Sequence, residues 1–168
     1  MNKLIVCSLL FLGLFFQKAT AQDKVSVAFN NSLKKYYVLK NALATDKAEL
    51  AQQAAIALQQ AVKEVPHKGF KDDAQHQLWM EESAVILAQS ADLAKSSDLK
   101  SQRKSFEGIS QSFIKVTQQL ALNLNVAYLQ YCPMGKFSWL NEVKDIQNPY
   151  YGSMMYDCGT VKSTIAGK

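Results

Sequence analysis

Between Val25 and Leu122, apolar residues return at every third or fourth position in four successive stretches separated by short polar breaks. That spacing puts them on one face of a helix, so the chain has to bury four such faces together. The first stretch predicts a helix over Val25–Leu43, with Val25, Phe29, Leu33, Tyr36, Leu39 and Leu43 inward, Tyr37 at the flank and Lys40 on the polar border. Asp46 followed by Glu49 reads as a capping pair for a second helix, from about Lys47 to Val65. Its inward set is Leu50, Ala51, Ala54, Leu58, Ala61, Val62 and Val65, and Pro66 ends it. Asp72 or Asp73 caps a third helix over about Ala74–Lys95, carrying Leu78, Trp79, Val85, Ile86, Ala88, Ala91 and Leu93. Ser96-Ser97-Asp98 is a break and a fresh cap. A fourth helix follows over about Leu99–Leu122, with Phe106, Ile109, Phe113, Val116 and Leu120 inward. Gly108 inside it costs about 1 kcal/mol relative to alanine, which a close helix contact would explain. Four helices with short connections predict an all-α fold, an up-and-down bundle over residues 22–123.

The two ends read differently. Lys3, the uncharged apolar run Leu4–Phe16 and the small residues Ala19-Thr20-Ala21 have the form of a signal peptide cut after Ala21. The run is shorter than the roughly 20 residues a membrane span needs. A periplasmic location and a lobe free of membrane insertion are expected. Residues 124–168 hold two of the three prolines and many aromatics. They predict an ordered but irregular C-terminal lobe, since disordered segments are poor in Trp, Tyr and Phe.

The net charge of +5 drops to weakly positive once Lys3 and Lys18 leave with the leader. Lysines and acids are interspersed, which argues against nucleic-acid binding. No Gly-x-Ser-x-Gly, phosphate loop, His-Glu-x-x-His or Cys-x-x-Cys occurs, and the chain is not expected to be an enzyme.

The chemistry lies in the tail. Cys132 and Met134 are two residues apart around Pro133, and Met154, Met155 and Cys158 form a second cluster. If the second cluster turns helically, its sulfurs share a face. Thiolates and thioethers are soft donors that favour Cu(I). The same two cysteines in an oxidising compartment can instead form a plain disulfide, with the methionines as packing filler. Both readings stand on the residues alone. His76 and Met80, four apart on the third helix, are a weaker donor pair that reads more simply as a solvated helix face. His67 sits in a loop. Trp139 either covers the sulfurs or, more simply, anchors the tail to the bundle.

The run "YYVLKNALATDKAELAQQAAIALQQAV", Trp79, "QRKSFEGIS" and "YCPMGKFSWLNEVKDIQNPYYGSMMYDCG" together resemble a family of periplasmic domains of unknown function. The family occurs as small exported proteins and appended to the adaptor subunits of copper and heavy-metal efflux pumps. The most specific residues of the resemblance are Cys132, Pro133, Met134, Gly135, Trp139, Leu140, Asn148, Pro149, Tyr150, Gly152, Met155, Cys158 and Gly159. Tyr-Cys-Pro-Met also resembles short heavy-metal-binding modules, which continue with histidine where Gly135 stands here. The resemblance implies a Cu(I) or Ag(I) site at Cys132, Met134, Met155 and Cys158, to which spacing adds Met154. It implies a heavy-metal efflux adaptor as partner. The competing expectation is a structural or interaction module of the cell envelope, with a permanent Cys132–Cys158 disulfide and no metal.

Overall fold

A computed structural model describes residues 16–168 of the chain. The leader expected over residues 1–21 lies for the most part outside them. Among the described residues the helices are α1 (Phe16–Ala44), α2 (Ala48–Lys63), α3 (Asp73–Lys95) and α4 (Leu99–Leu120). They are followed by β1 (Ala127–Cys132), β2 (Phe137–Asn141), a short 3-10 turn (Gly152–Met154) and β3 (Thr160–Ile165). None of the described helices is long and apolar enough to cross a membrane.

The helical periodicity is realised almost residue for residue. Val25, Phe29, Leu33, Tyr36, Leu39 and Leu43 of α1 are buried, as are Phe106, Ile109, Phe113, Val116 and Leu120 of α4. Their aromatic rings pack across the α1–α4 seam, with Phe29 against Phe113 and Tyr36 stacked on Phe106. On α2 the expected Leu50 is exposed and the buried line begins at Ala51, and on α3 the face shifts further. Val85 is exposed, and the buried line is Trp79, Ser83, Ile86, Ser90 and Leu93. Two serines keep that face narrow, so α3 approaches its neighbours closely. Gly108 of α4 meets α3 here: a Cβ added to it would lie 3.0 Å from Gln89 Cγ.

Capping departs from expectation at one place. Asp72 and Asp98 cap α3 and α4, accepting from the N–H groups of Gln75 and Ser101 at 2.8 Å. Asp46 does not cap α2, whose N-cap is Lys47 with no side-chain bond. Asp46 instead takes a left-handed backbone at φ 57° and ends α1. Its carboxylate is thereby turned toward α4 and the C-terminal lobe.

The lobe is not irregular, and the fold is not purely all-α. The strands form an antiparallel sheet in the order β2-β1-β3. Register pairs Cys132 with Phe137 across the β1–β2 hairpin and Tyr131 with Thr160 across β1–β3. The strands are short and dense in Tyr, Trp, Thr, Val and Ile, side chains that fit a pleated surface. Prolines and glycines fall in the connections between them, which gave the tail its loop-like composition.

Two clamps join the sheet to the bundle. Tyr36 of α1 shares a 2.9 Å hydrogen bond with Ser110 of α4 and accepts from the Leu140 N–H of β2 at 3.1 Å. One turn on, Lys40 is fully buried rather than on a polar border. Its Nζ donates to Asn141 Oδ1 at 2.5 Å and Gln147 Oε1 at 2.6 Å, with Glu142 Oε2 3.4 Å away. The second clamp is Arg103 of α4. It donates to Pro149 O and Leu43 O, each at 3.0 Å, and pairs with Asp46. The other Asp46 oxygen accepts from Ser153 N at 2.9 Å. These bonds from Ser153, then those from Arg103, outweigh burial and hold the Asp46 carboxyl below its ordinary pKa.

Gly152 passes directly over the Arg103–Asp46 pair at φ 57°, and a Cβ there would collide with both side chains. Gly152→Ala adds that collision to a left-handed strain of about 1–2 kcal/mol. Urea denaturation should show a loss of at least about 2 kcal/mol. A change within about 0.5 kcal/mol would contradict the packing described.

Burial lowers the Lys40 pKa to about 8, with Glu142 opposing the shift. Between that value and the ordinary one the unfolded chain keeps a proton that the folded chain has lost, so this group makes stability rise with pH. Wild type minus Lys40→Met should therefore gain about 2 kcal/mol from pH 8 to 9.5. A flat difference would place the Lys40 ammonium in solvent.

Candidate metal centre

Cys132 is the last residue of β1, and Cys158 lies two residues before β3. Because β1 and β3 are antiparallel partners at Tyr131 and Thr160, the residue that follows Tyr131 and those that precede Thr160 meet just beyond the ladder. The two Sγ atoms are 3.5 Å apart, and both cysteines are free thiols. With metal–sulfur lengths near 2.3 Å, that gap subtends an angle of about 100°, close to a tetrahedral bite.

Around them the chain is held by Asn148, itself fully buried. Asn148 Oδ1 accepts from Tyr150 N at 2.9 Å and Tyr151 N at 3.3 Å, and Nδ2 donates to Cys158 O at 2.9 Å. Its backbone N–H donates to Tyr156 O at 2.7 Å and its carbonyl accepts from Gly152 N at 3.1 Å. The Asn148-Pro149 turn is thus the hinge of the whole Cys158 loop. Gly159 is pressed onto Trp139, whose Cη2 would lie 3.1 Å from a Cβ there. Trp139 is fully buried and donates through Nε1 to Gln130 Oε1 at 2.8 Å, so it both anchors the sheet and floors the residue after Cys158.

The thiols are not equivalent. Cys132 is buried, while Cys158 is partly exposed. Burial raises the Cys132 pKa, but the Gly135 N–H, the Cys158 thiol, the Met134 N–H and the Asn148 amide together outweigh it and bring it below the ordinary value. Hydrogen bonding to Cys132, burial, and the charges of Cys132 and Asp157 raise the Cys158 pKa. The pair therefore favours one thiolate, at Cys132, hydrogen-bonded by its neighbour. A turn that aims two backbone N–H groups at the preceding sulfur stabilises a thiolate, the form that binds a metal.

The three methionines of the tail differ in exposure. Met134 in the hairpin turn is 68 % exposed and Met154 is 78 % exposed. Met154 lines a cleft with Lys100, Phe137 and Tyr151. Met155 is partly buried, and its carbonyl accepts from Cys158 N at 3.1 Å. The stretch from Met154 to Cys158 is a chain of turns, not a helix, because Met155 leaves helical geometry at φ −149°, ψ 50°. Gly135, where the heavy-metal modules carry histidine, has no room for a side chain: a Cβ would run into the Phe137 ring and lie 2.9 Å from the Tyr151 hydroxyl. Among the described residues no three His, Cys, Asp or Glu side chains cluster as a metal site. Any ion held here relies on sulfur.

Asn148, Arg103, Asp46 and Lys40 were not singled out as site-builders by the sequence. All four fall within the stretches that carry the family resemblance, which is the signal that points to them. His76 and Met80 share a helix face as expected, but the imidazole that approaches Met80 is that of His67, with Nδ1 3.1 Å from Sδ.

Exposure and acidity oppose each other at the two thiols, and access should decide. A brief pulse of iodoacetamide on the reduced protein should label Cys158 before Cys132, read by peptide mass spectrometry. Equal labelling, or Cys132 first, would show that the hairpin turn opens freely.

No curated protein matches this chain, and no solved structure does. The family profile described as "Protein of unknown function (DUF3347)" matches residues 33–124, running from the middle of α1 to just past α4 and stopping short of Cys132. The bundle is therefore what the family shares here, the sulfur-bearing tail lies outside the matched residues, and the chain belongs to the DUF3347 family of proteins of unknown function.

Proposed function

We propose that this chain is an exported soft-metal module that holds Cu(I) or Ag(I) in the envelope and passes it to an efflux system. The observation that supports this most is the meeting of two free sulfurs at 3.5 Å, one of them in a turn whose N–H groups stabilise a thiolate. Cys132 and Cys158 are the primary ligands. Met155, three residues before Cys158 and partly buried, would complete a low-coordinate site. Met134 and Met154 are exposed and would serve as exchange ligands as an ion arrives or departs. Thioethers carry no proton to lose, so they remain donors where acidity weakens thiolates. A signal peptide over residues 1–21 would deliver the protein to the periplasm. The resemblance of its tail to domains appended to heavy-metal efflux adaptors supports such an adaptor as the acceptor.

The test is a Cu(I) titration of the reduced protein against a competing chelator, with circular dichroism confirming that each variant folds. Loss of outer-shell groups alone costs about 10–100-fold in metal affinity. Cys132→Ser, Cys158→Ser should lose more than that at this site, and Met155→Leu less. Unchanged affinity in the double variant would refute the assignment. Intact mass before and after alkylation of protein taken from cells supplies the other arm. A fully oxidised pair with copper present would instead make the cysteines a permanent disulfide in a structural module.

A further inference from the structure

The α2–α3 connection lies at the opposite end of the bundle from the α1–α2 turn that Arg103 clamps to the thiol loop. There His67 Nδ1 and Met80 Sδ approach to 3.1 Å. His67 follows Pro66 in the loop after α2, whereas Met80 projects from the second turn of α3. Their meeting is thus a tertiary contact built by folding. Both side chains border a cleft of about 280 Å³ walled mainly by Val62, Val65, Trp79 and Leu87, with Lys63 and Ser83 also lining it. Met80 remains 39 % exposed at its mouth. One helical turn before Met80, His76 keeps a buried Nε2 with no hydrogen-bond partner. Phe70 lies over both the His76 ring, at 5.8 Å, and Trp79, at 6.4 Å.

We infer that His67 and Met80 form a second, thiol-independent site for a soft monovalent ion, Cu(I) or Ag(I). An imidazole nitrogen and a thioether sulfur are both donors such an ion accepts. With metal–nitrogen near 2.0 Å and metal–sulfur near 2.3 Å, a separation of 3.1 Å corresponds to an angle of about 90° at the ion. Exposure of Met80 leaves its terminal torsions free to open that angle. No carboxylate lines the cleft, so it lacks the several oxygen ligands that hard cations want. A thioether and an imidazole carry no negative charge, which further favours a monovalent ion over a divalent one. The pair lies in a different part of the fold from Cys132 and Cys158. It would still bind after those thiols are oxidised to a disulfide, a condition that removes the first site. The inference shares its class of metal with the proposed function but stands on different residues.

Ag(I) titration followed by NMR separates the two. The probes are the methionine ε-methyl groups and the histidine ring protons, in the full chain and in Cys132→Ser, Cys158→Ser. In the double variant, the Met80 methyl and the His67 ring should shift together and saturate at one equivalent. Met80→Leu, at a partly exposed position that tolerates the swap, should abolish both responses. The inference is overturned if Met134 or Met154 responds while the His67 ring stays unmoved at one equivalent. It is overturned equally if the Met80→Leu variant titrates like its parent. Stoichiometry keeps the two claims apart. If the thiol site alone is wrong, full chain and double variant each bind one ion; if this inference alone is wrong, the full chain binds one and the double variant none.

Discussion

The Asn148 amide is the contact on which the candidate centre depends. It sits at zero exposure and uses both ends: Oδ1 gathers the N–H groups of Tyr150 and Tyr151, while Nδ2 reaches across to the Cys158 carbonyl. Leaving either end unpaired in the interior would cost about 1–3 kcal/mol, so the loop has one favoured path. That path starts at Pro149, which Arg103 holds from α4, and crosses the bundle at Gly152, where no side chain fits above the Arg103–Asp46 pair. The position of Cys158 is therefore set by helices α1 and α4 as much as by the sheet. Asp46 and Arg103, the anchor points for the tail, both lie within the residues that the family profile matches, whereas the tail itself does not.

The sheet has an unusual interior for so small a domain. Gln130 on β1 sends Nε2 to the carbonyls of Val143, Lys144 and Asp145 at 3.0–3.3 Å, and its Oε1 accepts from Trp139 and Asn141. Asn141 in turn accepts from the buried Lys40 ammonium. A buried charge is costly unless it is surrounded by acceptors, and here the acceptors come from the segment just after β2. The effect is register. A one-residue slip of β2 would carry Asn141 away from Lys40 and Trp139 away from Gln130, leaving several buried polar groups unmatched. Since β1 and β2 are then fixed, Cys132 is fixed at the end of the ladder.

How much of this was legible depended on whether the signal was local. The stripes of α1 and α4 are legible because their bulkiest inward residues are mostly apolar, although Ser26, Asn30, Ser32 and Lys40 on α1 and Gln102, Ser110, Ser112 and Thr117 on α4 are buried beside them. On α3 the buried face includes Ser83 and Ser90, whose size matters more than their polarity, and a reading of apolarity alone turned the helix toward Val85 instead. Lys40 looked like a border residue because its partners lie about a hundred positions away, at Asn141, Glu142 and Gln147. Asp46 carried the local signature of a cap, yet a distant arginine and the Ser153 N–H use its carboxylate. The strands were hidden for a related reason. Each is five or six residues long, and between β1 and β2 stands a Pro-Met-Gly-Lys turn that by composition belongs to a loop. The sulfurs themselves were visible as a cluster, but their meeting follows from strand pairing, which sequence spacing does not encode.

Sheet and bundle thus divide the labour of holding the two thiols. The sheet brings together cysteines 26 positions apart and places one where two N–H groups favour its anion. The bundle supplies rigidity, since the loop that carries the other is tied to two helices rather than left to fluctuate. Preorganisation of that kind lowers the entropic cost of assembling a chelate, because the donors need little further ordering when the ion arrives. If the proposed site holds an ion, the exposure of Cys158 beside a buried Cys132 leaves a competing donor from a partner a route to it without the fold opening. On that reading the same geometry would favour exchange over permanent capture.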